Sequence, residues 1–214
     1  MLRRAAAEEY ALLILTLIVF ILLVAADLLT KQFICPAVIG AGGRTPFIPG
    51  VIRFEYTENT GMAWGIFKNA TLVLTVTTAL ACALIVYFII SKRKTMPALM
   101  RFALAAILAG AVGNLIDRIF LGYVRDFIAF DFISFPIFNF ADSCVTVGAV
   151  LLGISLLLTK KGRSFLKSLD GDGKAKKGSA DKPEEPAEGP APFDGKPGPA
   201  DEAAAENAPD KQDK

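Results

Sequence analysis

The 214-residue chain contains no histidine, one tryptophan and three cysteines. Without histidine, Ser-His-Asp and Cys-His catalysis and His-ligated zinc are excluded by composition. The cysteines, Cys35, Cys82 and Cys144, stand far apart, and no pair has metal-ligand or thiol-redox spacing. Cys82 and Cys144 fall inside apolar stretches and read as small apolar filler, so no disulfide framework is expected. Neither a metal nor an organic cofactor is expected. Large apolar residues also vanish from the last stretch: between 170 and 214 Phe193 stands alone among Pro, Gly, Ala, Glu, Asp and Lys. Such a segment cannot bury enough surface to offset its chain entropy, and residues 170–214 are expected to form a disordered cytoplasmic tail.

What the chain has in abundance is apolar residues, at 53% with a mean hydropathy of +0.48. They gather in blocks near the length of about 20 residues that a bilayer crossing needs. These blocks cover about 10–29, 70–90, 98–121 and 138–159. Each is apolar all round, which marks a helix surrounded by lipid. The first is longer than the apolar core of a cleaved signal, and no A-x-A-like site follows, so it reads as a retained span. Arg3 and Arg4, then Lys92, Arg93 and Lys94, then Lys160, Lys161, Arg163 and Lys167 all fall on one side of a four-span chain. Positive flanks stay inside, which predicts both termini in the cytoplasm.

Residues 31–69 then form an outer lobe. Pro36, Pro46, Pro49 and the Gly40, Gly42 and Gly43 cluster predict turns and irregular chain in its first half. Near-alternation over 51–57 predicts a short strand. Trp64 reads as an interface marker just before the second span. The expected fold is an all-α membrane protein: a four-helix transmembrane bundle over 1–169 with a small extracytoplasmic β-containing lobe, followed by the tail.

Asp27, Asp117, Asp126, Asp131 and Asp142 lie in or against these apolar blocks. Carboxylates in hydrocarbon are costly and are kept with a partner or a function. Asn114, Asp117 and Arg118 are spaced to share one face of the third span, which predicts an inward-facing network in which Asp117 is structural. Asp126 follows that span, and Asp142 opens the fourth behind Asn139, in the pattern of a helix N-cap box. A short outer loop joins antiparallel spans, so the two acids can meet near one membrane face. Two carboxylates in contact at low dielectric cannot both ionise, the arrangement of an aspartic peptidase. One would activate water; the other would hydrogen-bond the scissile carbonyl.

Asp27-x-x-Thr30-Lys31, Asn59-Thr-Gly61, Gly113-Asn114-x-x-Asp117-Arg118, Val124-x-Asp126-Phe127 and Phe138-Asn139-x-Ala141-Asp142-Ser143 occur in this order around four spans. Over about residues 8–160 the chain resembles lipoprotein signal peptidase (signal peptidase II), a bacterial inner-membrane aspartic endopeptidase family. The resemblance implies a catalytic pair at Asp126 and Asp142, with Asp27, Asn59, Asn114, Arg118 and Asn139 as substrate-binding or supporting positions. Lys31 and Trp64 read with Asp117 as structural polar positions. It further implies cleavage of prolipoprotein signal peptides before a cysteine bearing a diacylglyceryl group, at the outer leaflet. Membrane lipids are the other expected partners; nucleic acid is not, and a monomer is expected. The tail lies outside the family pattern.

Two other classes share some of these residues. A proton-coupled transporter would also carry intramembrane Asp and Arg, yet there is no internal repeat or Pro/Gly-broken helix pair, and the polar residues gather at span ends. A Ser/Lys peptidase could use Ser143 and Lys31, although Ser143 reads more simply as a helix-start residue.

Overall fold

The computed structural model describes residues 2–61 and 71–169, with side chains from residue 7 onward. Helix α1 spans Leu2–Gly40, followed by strands β1 (Arg44–Ile48) and β2 (Ile52–Asn59), helices α2 (Thr71–Ser91) and α3 (Ala98–Leu121), strand β3 (Val124–Phe130) and helix α4 (Phe140–Leu158). A further helical segment runs over 160–169. Among the described residues, four helices are long and apolar enough to cross a membrane: Ala7–Gly40, Thr71–Ser91, Ala98–Leu121 and Phe140–Leu158. Trp64 and the stretch 170–214 lie outside the described residues.

Helix α3 is the centre of the bundle and packs against α1, α2 and α4. Its small residues, including Ala103, Ala106, Ala109, Gly110 and Gly113, are what let neighbouring backbones come close, since apolar area alone gives no drive to associate in lipid. A Cβ at Gly110 would strike the Ala141 carbonyl of α4, and one at Gly113 would strike the Asp27 carboxylate of α1. By contrast α2 turns Leu72, Leu80, Leu84 and Tyr87 outward. At the end where α3 begins, Met96, Met100, Leu104 and Phe165 form an apolar core.

At the other end of α3 sits the lobe, a three-stranded antiparallel sheet in the order β1-β2-β3. Gly122, at φ 82°, ends α3 in the left-handed region and turns the chain into β3. The β2–β3 register sets Thr57 opposite Asp126 and Asn59 opposite Val124. Phe138 then exchanges backbone hydrogen bonds with Ile128, at 3.0 and 2.8 Å, so the start of α4 is brought back against β3.

The last three spans agree with the expected ones to within two residues. The first does not: α1 continues through Lys31 and Pro36 to Gly40, where irregular chain was expected. Proline removes one N–H and strains its turn, but Asp27, Lys31, Cys35 and Val38 form a buried stripe at four- and three-residue spacing that holds the helix to the bundle. Strands β1 and β3 were not anticipated either. Asp131 belongs to the lobe, not to a span, where it accepts from Arg53 Nη1 at 2.8 Å.

Candidate active site

The N-terminus of α4 organises the polar end of the bundle. Asn139 is its N-cap: Asn139 Oδ1 accepts from the Asp142 N–H at 3.0 Å, and Asp142 Oδ2 accepts from the Asn139 N–H at 3.1 Å. This is the anticipated capping box. The same Asn139 side chain reaches further, donating through Nδ2 to Asp126 Oδ1 at 2.6 Å and to Asn114 Oδ1 at 3.0 Å. One fully buried amide therefore links β3, α3 and α4.

Each carboxylate oxygen of the two acids meets an N–H donor. Asp126 Oδ2 accepts from Asn59 Nδ2 at 2.9 Å, and Asp142 Oδ1 accepts from Asn114 Nδ2 at 2.8 Å. Asn59 is itself oriented by the Gly61 N–H, which donates to its Oδ1 at 3.0 Å. Both acids line a cavity of about 670 Å³. Asn59 and Arg118 share its polar end, while Phe130, Phe135, Phe138 and Val147 make an apolar wall. Arg118 Nη2 donates to the Gly61 carbonyl at 3.5 Å, and its buried Nε has no partner among the described residues. Burial pushes the Asp126 carboxyl up to about 7, reinforced by the negative charge of Asp142 and opposed by the Asn59 and Asn139 hydrogen bonds and by Lys31.

A second cluster lies behind this pair. Lys31 Nζ, fully buried, stands 2.9 Å from Asp27 Oδ2 and 3.3 Å from Asp117 Oδ2, and donates to Asn114 Oδ1 at 3.0 Å. Asp117 also accepts from the Arg125 N–H at 3.0 Å and from its guanidinium at 2.7 and 3.3 Å. Asp27 Oδ1 accepts from the Ala141 N–H at 2.9 Å, tying α1 to the first turn of α4.

Of the residues singled out from the sequence, Asp126, Asp142, Asn59, Asn114, Arg118 and Asn139 come together around the cavity or its first hydrogen-bonded neighbours. Asp27, Lys31 and Asp117 stand behind them as a group. The expected Asp117–Arg118 pairing is not formed. Consecutive helix residues point about 100° apart, as 3.6 residues per turn requires, so Asp117 turns to Lys31 and Arg125 while Arg118 turns to the cavity. Arg125 is the residue that sequence reasoning passed over; its place on β3 is the only signal that could have found it. Ser143 borders the cavity, but its hydroxyl donates to the Asn139 carbonyl at 3.2 Å, and Lys31 is fully engaged elsewhere. That removes the geometric basis for a Ser/Lys pair.

Residues 19–158 match the family model described as signal peptidase (SPase) II. The chain belongs to the signal peptidase II family. It is 40% identical over 143 residues to a lipoprotein signal peptidase of Lactobacillus johnsonii, covering 67% of this chain and 92% of that protein. A lipoprotein signal peptidase of Enterococcus faecalis is 37% identical over 150 residues, 70% of this chain and 92% of that one. A solved bacterial membrane enzyme, determined in meso at 1.9 Å, is 32% identical with a TM-score of 0.58, covering 68% of this chain and 94% of that chain. Signal peptidase II enzymes are membrane proteases of the aspartic type, and their family role is removal of signal peptides from prolipoproteins.

Proposed function

We propose that Asp126 and Asp142 are the catalytic pair of this signal peptidase II, cleaving diacylglyceryl-modified prolipoproteins before the lipidated cysteine. The observation that carries this reading is the single residue Asn139, which donates to the Asp126 carboxylate through its side chain and to the Asp142 carboxylate through its backbone N–H, at the edge of one cavity. Asp126, with its carboxyl pushed up to about 7, is the group suited to hold the shared proton at rest. Asp142 takes a proton from water as the water oxygen attacks the scissile carbonyl carbon. Asp126 gives its proton to the carbonyl oxygen, forming a neutral tetrahedral diol. When the C–N bond breaks, the leaving nitrogen takes the proton from Asp142, and a diol hydroxyl returns one to Asp126. Atoms and protons balance without a metal.

Asn59 and Arg118 are suited to hold the peptide backbone, since each brings N–H groups to the cavity rim. The Phe130, Phe135 and Phe138 wall suits the apolar signal segment and acyl chains. Lys92, Arg93 and Lys94 join α2 to α3, and Lys160, Lys161, Arg163 and Lys167 follow α4, all at the end away from the pair. The positive-inside rule supports a cytoplasmic position for that end, and with it a pair at the outer leaflet of the bacterial inner membrane. The enzyme acts as a monomer on this reading, with 1–169 as the peptidase unit. The test is cleavage of a lipid-modified precursor by purified protein. Activity surviving EDTA and serine-directed reagents, and lost in Asp126→Asn and in Asp142→Asn, is the expected result; full cleavage by either variant would refute the pair.

A further inference from the structure

Asn114 offers an oxygen on one side of its amide and an N–H on the other, and the two sides are chemically opposite. If the amide were turned over, its oxygen would face the Asp142 carboxylate and its N–H would face the Lys31 ammonium. Acceptor would then meet acceptor, and donor would meet donor. An ammonium has three donors and no acceptor, so whatever faces Lys31 Nζ must be an oxygen. Lys31 Nζ lies 3.0 Å from Asn114 Oδ1, and on the far side Asn114 Nδ2 lies 2.8 Å from Asp142 Oδ1. Asn139 Nδ2 donates to the same Asn114 oxygen.

We propose that Lys31 is a positioning residue for the reaction. By presenting only donors to Asn114 it fixes the amide orientation that aims an N–H at Asp142. Charge neutralisation of Asp27 and Asp117 is a separate contribution, since those are ion-pair contacts to other side chains. The ammonium donates to Asn114, lies 2.9 Å from Asp27 Oδ2 and 3.3 Å from Asp117 Oδ2, and is buried completely. No rotation that abandons Asn114 leaves it satisfied, which makes the orientation rigid. Asn139 is fixed by the same logic through the Asp142 N–H, so both acids face amides held by donor-only groups.

The inference rests on the proposed pair, and its test separates the two. Lys31→Met and Lys31→Gln both remove the charge, but the Gln amide keeps an N–H for Asn114. Both variants lose the Lys31 charge that opposes the upward push on Asp126, whose other charged neighbours are Asp142 and Arg118. The alkaline limb of the pH–rate profile should therefore move upward alike in the two. The kcat values should part: a fall of at least about tenfold for Lys31→Met at nearly constant KM, as misplacement of a reacting group produces, and recovery of most of that loss in Lys31→Gln. Equal kcat losses that track the drop in unfolding temperature would overturn the proposal and leave Lys31 as charge balance alone. Should neither variant fold, Asn114→Asp decides: it keeps an oxygen toward Lys31 and replaces the N–H toward Asp142 by oxygen. Folded protein with kcat down about 10²-fold is expected, and wild-type kcat would overturn the proposal. Full activity of Asp142→Asn would instead refute the pair, whatever the Lys31 variants do.

Discussion

Two pairs of aspartates, the buried Asp27 with Asp117 and the buried Asp126 with the half-buried Asp142, are treated in opposite ways. Asp27 and Asp117 are closed by Lys31 of α1 and Arg125 of β3, two negative charges against two positive. Asp126 and Asp142 receive only amide N–H groups and face a cavity, with the Arg118 guanidinium nearby but not bonded to them. On the proposed roles, burial alone does not mark a functional carboxylate. What separates the clusters is the partner: a cation compensates charge and makes a strut, whereas an amide orients the group and leaves a proton to be shared.

The largest expected effect would exchange these behaviours. Asp126→Asn and Asp142→Asn should each lower cleavage by at least about 10²-fold while the protein still folds in detergent, because an amide keeps one of the two oxygen contacts of each acid. Asp117→Asn should do the reverse. It strips a buried pair of one charge, a loss of about 3–5 kcal/mol, yet the folded fraction should still cleave. A variant as stable as wild type and catalytically dead at Asp117 would break the distinction between the clusters.

A smaller effect is expected at the cavity rim. Asn59→Ala removes one of the two side-chain donors to Asp126 and should cost about 1–3 kcal/mol in transition-state stabilisation, read from kcat/KM. No change in kcat/KM would mean that Asn59 matters to the lobe and not to the pair. The smallest effect should come from truncation after Leu169, which keeps the basic residues following α4. Near-normal insertion and turnover are expected. A large loss of turnover with insertion intact would give the tail a regulatory or recruiting role.

The spans were legible in the sequence because lipid imposes apolar residues all round a helix over about 20 residues. The reach of α1 was not, since Pro36 and the following glycines signal a turn, while the bundle contacts of Lys31, Cys35 and Val38 that sustain the helix are non-local. Strand β3 hid in Val124–Phe130 because its pairing with β2 is set by the sheet and not by clean alternation. The capping box of Asn139 and Asp142 was readable as a local pattern. The meeting of Asp126 with Asp142 followed from topology, and its residue roles from family resemblance. The Asp117–Arg125 pairing crosses a helix end, a glycine turn and a strand, and no spacing rule reaches across that.

The shared proton is the centre of the account, and infrared titration of the carboxyl groups tests it most directly. Because the Asp126 pKa is raised, its carboxyl keeps the proton below about pH 7 and loses it above, so a protonated-carboxyl band and the cleavage rate should fall together through that range. The band should be absent in Asp126→Asn and present in Asp117→Asn. In Asp142→Asn it should disappear at lower pH, since the neighbouring negative charge is gone. A band that is missing in wild type near pH 6, or that vanishes with Asp117 and survives the loss of Asp126, would contradict the account.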